Sequence, residues 1–184
     1  MDDTAWYKDL KYLLLEPEKR IPLIRLHART DLLLVLIISF LLLGAGYEMY
    51  NFSSVTSAWN LVQGIFTLGA IKLLLLVFFP FFFYSLCAKL LGVNLDSIWL
   101  LYALSLIFLP YALGTFLEAF LTFLLPTNVI LQLIPFVFFS FFALYSIFLL
   151  FLLIQLTFKR VFFATILITF FPYLLNLIIS HLIL

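Results

Sequence analysis

The sequence predicts an all-α, polytopic membrane protein: a five-helix transmembrane bundle preceded by a short interfacial amphipathic helix. The first observation is composition, because 66% of the 184 residues are hydrophobic and only 10% are charged, whereas soluble domains carry about 25% charged residues. The second is a series of five apolar runs, each long enough to cross about 30 Å of hydrocarbon. The third is the distribution of lysine and arginine, which fits one orientation of such a bundle.

Residues 1–30 are predicted to form a cytoplasmic segment that is amphipathic and basic. Within it, four apolar side chains recur at helical spacing and share one face, and Lys8 and Lys11 lie off that face; the four are Trp6, Leu10, Leu13 and Leu14. Glu16-Pro17 ends this helix, since the residue before a proline disfavours helical geometry. The helix can lie in the headgroup plane as a membrane-interface element. The same face can equally pack on the protein's own cytoplasmic loops, and the sequence leaves both interpretations open.

Residues 31–184 are predicted to form the transmembrane domain, with spans at about 32–47, 58–86, 95–119, 128–156 and 161–182. Basic residues precede the first span, and others lie between spans two and three and between spans four and five. The other two connections contain no lysine or arginine. The positive-inside rule therefore predicts a cytoplasmic N-terminus and an outer C-terminus.

The second run, from Trp59 to Gly92, is predicted to be the central helix of the bundle. Lys72 is the only charge inside it before Lys89, about 20 Å from Trp59 and close to the middle depth of a membrane. A lone ammonium group in lipid costs about 2.5 kcal/mol or more, so Lys72 should face other helices or a wet cavity. Glu118 and Glu48 are its candidate partners. These three residues form the predicted intramembrane polar site, whose role can be structural or functional.

Proline interrupts several of the predicted spans. Pro110 is the most suggestive, because Gly114 and Glu118 follow it on the same helix. Ordinary kinks are the favoured interpretation. The functional alternative makes Pro110 and Gly114 a hinge beside a binding site.

The motifs expected of an enzyme are absent from the sequence. It contains no HExxH, no GxSxG, no pair of intramembrane aspartates and no glycine-rich phosphate loop. His27 and His181 should lie on opposite faces of the membrane, and Cys87 is the only cysteine, so no cofactor or metal site is predicted. The net charge of +1 gives no basic field for nucleic acid. We therefore predict a protein that is not an enzyme.

Short motifs in this chain resemble the Yip1-domain family. The opening WYKDLK of residues 6–11, followed by Leu15-Glu16-Pro17, is similar to the family's short amphipathic start. The segment LLYALSLIFLP of residues 100–110 resembles its tyrosine-alanine start and closing leucine-proline. The resemblance implies five spans with a cytoplasmic N-terminus. Eukaryotic members act in vesicle traffic between the endoplasmic reticulum and the Golgi with Rab GTPases, whereas this chain, with about thirty residues before its first span, resembles the compact prokaryotic members.

The resulting expectation is a non-enzymatic, Yip1-like integral membrane protein of a prokaryotic cytoplasmic membrane that organises membrane or partner proteins. Its expected partners are membrane lipids, and other membrane proteins or further copies of itself. The alternative is a small transporter or channel component, or an accessory subunit of a larger membrane complex, in which Lys72 lines a polar site. Several polar groups converging on Lys72 would favour transport, and a single capping partner would favour the organising role.

Overall fold

A computed structural model describes residues 6–21, 29–50, 58–125, 129–159, 164–172 and 174. The described chain is helical and contains no strand, which confirms the predicted class. The helices are α1 (Trp6–Leu15), α2 (Pro17–Arg20), α3 (Arg29–Tyr50), α4 (Ala58–Leu73), α5 (Phe79–Leu90), α6 (Ser97–Leu124), α7 (Val129–Phe158) and α8 (164–172). A π-helical turn, Leu74–Phe78, joins α4 to α5 into one long helix.

Four helices in the described chain have the length and apolar composition needed to cross a membrane: Asp31–Met49, Trp59–Leu90, Ser97–Leu124 and Leu133–Phe158. They correspond to the first four predicted spans, and by their length and composition they confirm the prediction of an integral membrane protein. Of the predicted fifth span, 161–182, the structure describes 164–172 and 174, all helical. The fifth crossing therefore stays a prediction.

Local signals in the sequence define where α5 ends and α6 begins. Gly92 has a positive φ of 66°, and the amides of Gly92 and Val93 bond back to Lys89 and Ala88, which is the glycine-terminated Schellman ending. Asp96 then caps α6, because its carboxylate accepts a hydrogen bond from the Ile98 amide at 2.9 Å. The hairpin between these two spans is thus closed within a few residues.

The π-helical turn lies directly before a proline. The Phe79 amide bonds to the Leu74 carbonyl, five residues back. Pro80 has no amide hydrogen to give to the preceding turn, so the regular α-helical ladder cannot continue through it. The wider turn at Leu74–Phe78 is the local accommodation of that loss.

The structure places α6, and not the second span, at the centre of the bundle, so the sequence prediction of a central Trp59–Gly92 helix is wrong. Over an 18-residue apolar stretch of α6, 72% is buried, against 17% for a stretch of the same length in the Trp59–Leu90 span. α6 packs extensively against both α3 and α7, whereas α4 packs mainly against α3. Hydropathy does not distinguish a central helix from a peripheral one, because lipid tails and neighbouring helices are equally apolar.

Candidate functional site

Two of the predicted polar residues, Lys72 and Glu48, lie at the interface of α3 and α4, and glycines bring these two helices together there. A Cβ atom added to Gly44 of α3 would lie on the backbone carbonyl of Ile65, and one added to Gly69 of α4 would lie 2.7 Å from the carbonyl oxygen of Phe40. The two helices therefore touch through their backbones in an antiparallel register. Such contact between transmembrane helices requires residues without side chains.

Glu48 is buried in this interface, with 8% of its surface exposed. Its carboxylate lies directly against Gly64 of α4, where a Cβ atom would overlap it. The glycine thus creates the space that the carboxylate occupies.

Lys72 approaches the same interface from the other helix. Its Nζ atom lies 4.4 Å from the centre of the Tyr47 ring, which is cation–π geometry worth about 0.5–2 kcal/mol. The two side chains can meet because helical side chains lean towards the N-terminus of their own helix, and α3 and α4 run antiparallel. Lys19 pairs with Glu16 at 3.1 Å, and no ion pair joins Lys72 to a carboxylate within the part of the chain that the structure describes.

Tyr47 also links Lys72 to α6. The Tyr47 and Tyr111 side chains are neighbours, and Glu118 follows Tyr111 by seven residues on the same side of α6. Thr115, one turn after Tyr111, donates its hydroxyl to the Tyr111 carbonyl at 3.0 Å. Of the three predicted residues, Lys72 rests on Tyr47 and Glu48 lies on Gly64, while Glu118 is farther along α6. Sequence reasoning missed both tyrosines. Tyr47 is near the end of its span, where tyrosine is typical of the aromatic belt at the membrane surface, and Tyr111 lies in the middle of α6 without a local signal of its partner.

The candidate hinge residues lie inside an unbroken helix. α6 remains helical through Pro110 and Gly114. A Cβ atom at Gly114 would lie 2.7 Å from Cβ of Phe142, so this glycine permits the close approach of α6 to α7. The packing explains Gly114 without motion, and a hinge at Pro110 stays a prediction.

The N-terminal helix is anchored on the spans themselves. The Asp9 carboxylate is fully buried and accepts a hydrogen bond from the Tyr102 hydroxyl at 3.3 Å. The Tyr145 hydroxyl donates to the carbonyls of Leu13 at 3.0 Å and Leu14 at 3.2 Å. These carbonyls are in the last turn of α1, where no further helical amide is available. Because Tyr145 is near the middle of the Leu133–Phe158 span, α1 reaches deep along α7.

These contacts support the interpretation that the apolar face of α1 packs on the protein itself. Leu13 is fully buried and Leu10 packs on the core, while Leu14 is partly exposed. Protein therefore covers Leu10 and Leu13, and among the described residues the spans α6 and α7 bond to α1. Lys11 is exposed and Lys8 is half-buried; the side chain of Trp6 is outside the described residues. The missed signal was Asp9, which is four residues before Leu13 and so shares its face.

The described residues contain no group of three histidine, cysteine, aspartate or glutamate side chains placed to hold a metal ion. His27 and His181 lie outside the described residues. Cys87 is a free, half-buried cysteine within α5.

Comparison with known proteins gives no relative from which to assign a function. No family model matches the chain, no curated protein matches it, and no solved structure matches it.

Proposed function

We propose that this chain is a non-enzymatic, Yip1-like membrane protein that organises membrane or partner proteins through its second span. The observation that carries the proposal is the exposure of this span: over an 18-residue apolar stretch of Trp59–Leu90, only 17% is buried. Large apolar side chains cover its free side, namely Trp59, Val62, Phe66, Ile71, Leu74, Phe82 and Leu86. A helix packed along a single side leaves a long surface for lipid, for another membrane protein or for a second copy.

The surroundings of Lys72 support the organising role over transport. The ammonium group rests on one ring, that of Tyr47, which is the single capping partner expected of a structural lysine. A lysine satisfied in this way needs no substrate to stabilise it.

Photo-crosslinking from the second span tests the organising role in intact membranes. Benzoylphenylalanine would replace Phe82, which is 67% exposed on α5, and in a matched control Phe138, which is 50% exposed on α7. We expect a discrete adduct from position 82, with a mass that distinguishes a second copy from a different protein, and only diffuse lipid labelling from position 138. Diffuse labelling at both positions would contradict the proposal.

A second candidate function, a transporter or channel component or an accessory subunit with a polar site, is favoured by Glu48. Its carboxylate is buried against Gly64. Ionisable residues inside membranes commonly mark ion or proton paths. The substitutions of Lys72 described in the Discussion separate the two functions.

We also propose five spans in a prokaryotic cytoplasmic membrane, with the N-terminus inside and the C-terminus outside. The basic residues outside the spans support this orientation, since connections 51–57 and 121–127 contain none. A cytoplasm-active reporter fused after Leu184 should be inactive, and a periplasm-active reporter at the same place should be active. The reverse result would indicate an even number of crossings.

A further inference from the structure

Five exposed residues of α4 form a line along the side of the helix that faces away from α3, and we call them the α4 stripe. They are spaced alternately three and four residues apart: Asn60, Gln63, Thr67, Ala70 and Leu74. At about 100° per residue, the stripe lies nearly opposite Gly64, Gly69 and Lys72, which contact α3. A mean spacing of 3.5 residues is that of the seam along which two helices pack as a left-handed coiled coil.

The α4 stripe differs in chemistry from the exposed surface of α7. Between positions 133 and 148, every exposed residue of α7 is a large aliphatic or aromatic one, such as Leu133, Phe141 and Leu144. The stripe instead carries two amides, a hydroxyl and an alanine within the Trp59–Leu90 span. Polar and small residues within spans are typical of contacts between helices, because polar side chains bond across the contact and small ones permit a close approach.

Gln63 is the residue of the stripe that gains most from such a contact. Its side chain is exposed, and it lies about 6 Å along the helix axis from Trp59, inside the span. The Thr67 hydroxyl donates to the Gln63 backbone carbonyl at 2.9 Å, so this hydroxyl is satisfied within α4 itself. The Gln63 amide has two donor hydrogens and an acceptor oxygen, and hydrocarbon offers them no partner. A surface that presents both a donor and an acceptor at this depth would satisfy the amide.

A second copy of this chain presents that surface by symmetry. In a two-fold dimer the same patch meets itself, so the Gln63 amide of each copy can donate to the other and accept from it. Copies of one chain insert in the same orientation, so their α4 helices run parallel. Phe66 and Ile71, which are 57% and 49% exposed, lie on either side of the stripe and add apolar contact. A polar residue in such a seam also fixes the register and the number of helices.

We propose that two copies of this chain dimerise through the α4 stripe, with their Gln63 amides hydrogen-bonded to each other. The proposal rests on the organising function proposed above, because it names a second copy as the partner of the second span. It also restricts the contact to one side of α4.

Disulfide crosslinking of the full-length chain in intact membranes tests where the contact lies. In a Cys87→Ala background, which removes the single cysteine, new single cysteines would replace Ala70 or Leu74 of the stripe. Val62 of α4 and Val137 of α7, which are 42% and 62% exposed, are the matched control positions. We expect dimers to form about tenfold faster at 70 and 74 than at 62 and 137, because a disulfide requires Cα atoms within about 7 Å. Equal rates at all four positions, or no dimer at any, would overturn the proposal.

Energy transfer between donor-labelled and acceptor-labelled full-length chains in lipid vesicles tests the role of the amide. Gln63→Leu should raise the dissociation constant of the dimer about three- to tenfold, the range of one or two hydrogen bonds between helices. Gln63→Asn keeps an amide and should raise it less, and Val62→Leu, at an exposed position outside the stripe, should leave it unchanged. An unchanged dissociation constant in Gln63→Leu would mean that the amide serves only the lipid headgroups, and it would overturn the proposal.

The dimer and the organising function fail in different ways. An adduct from position 82 to a different protein, without disulfides at 70 or 74, would overturn the dimer and leave the organising function in place. Disulfides at 70 and 74 with only diffuse labelling from position 82 would keep the dimer and contradict the wider organising role. If a variant fails to fold, the wild type alone still tests the dimer, because wild-type chains without energy transfer at high density in the vesicles would overturn it.

Discussion

Gly44→Leu is expected to separate α3 from α4 and to destabilise the protein by about 3 kcal/mol or more. A leucine side chain at this position begins with a Cβ atom on the Ile65 carbonyl, so a whole helix must move before the side chain fits. Overpacking usually costs about 1–3 kcal/mol, and a clash with backbone leaves no flexible side chain to give way. We expect lower yield from membranes and a reduced unfolding midpoint in detergent.

Gly44→Ala makes the test sharper. Alanine favours a helix over glycine by about 0.8–1 kcal/mol, so local propensity alone predicts a more stable protein. The contact with Ile65 predicts a less stable one. Ala45→Leu, at the half-buried neighbouring position, is the matched control and should change stability by less than either glycine variant. A Gly44→Ala protein that is at least as stable as the wild type would show that α3 and α4 are farther apart than described.

The same helix pair shows what sequence reasoning can recover in this chain. Residue class and spacing were sufficient to predict four spans, because the length of an apolar run is limited by the thickness of a bilayer. The glycines of the second span correctly indicated close helix contact, and Gly69 does lie on Phe40. They did not indicate how many helices the span touches. α6 is central because small side chains recur on it, such as Ala103, Ser105 and Ala112, all buried.

The docking of α1 was predictable only in part. An amphipathic pattern identifies a helix with one apolar face, and that face is equally suited to lipid or protein. The choice depends on Tyr102 and Tyr145, which lie far away in the sequence and whose hydroxyls bond to Asp9 and to the end of α1. Asp9 within the leucine face was the local indication, since a carboxylate facing hydrocarbon is costly.

The second large effect on stability is expected at Lys72. The substitutions Lys72→Met and Lys72→Glu should change the unfolding free energy by very different amounts. Lys72→Met removes a charge from the middle of a span and keeps a long apolar stem on the Tyr47 ring. Replacing a desolvated charge by an apolar group is often neutral or stabilising, while the lost cation–π contact costs about 0.5–2 kcal/mol. We therefore expect a net change of about 1 kcal/mol or less in the unfolding free energy, with the crosslink from position 82 retained.

Lys72→Glu should instead destabilise the protein by about 3 kcal/mol. It places a carboxylate over the electron-rich face of Tyr47, which repels anions, and adds a charge at membrane depth with no partner. Lys89→Glu is the matched control, since Lys89 is exposed at the end of α5 and carries the same charge change at the membrane boundary. Tyr47→Leu completes a double-mutant cycle. Without the Tyr47 ring, Lys72→Met should change the unfolding free energy by less than it does in the wild type.

If Lys72→Met folds normally yet abolishes a measurable ion or solute flux, the transport function is correct and the structural role of the lysine is not. If Lys72→Glu is as stable as the wild type, the ammonium group does not rest on Tyr47.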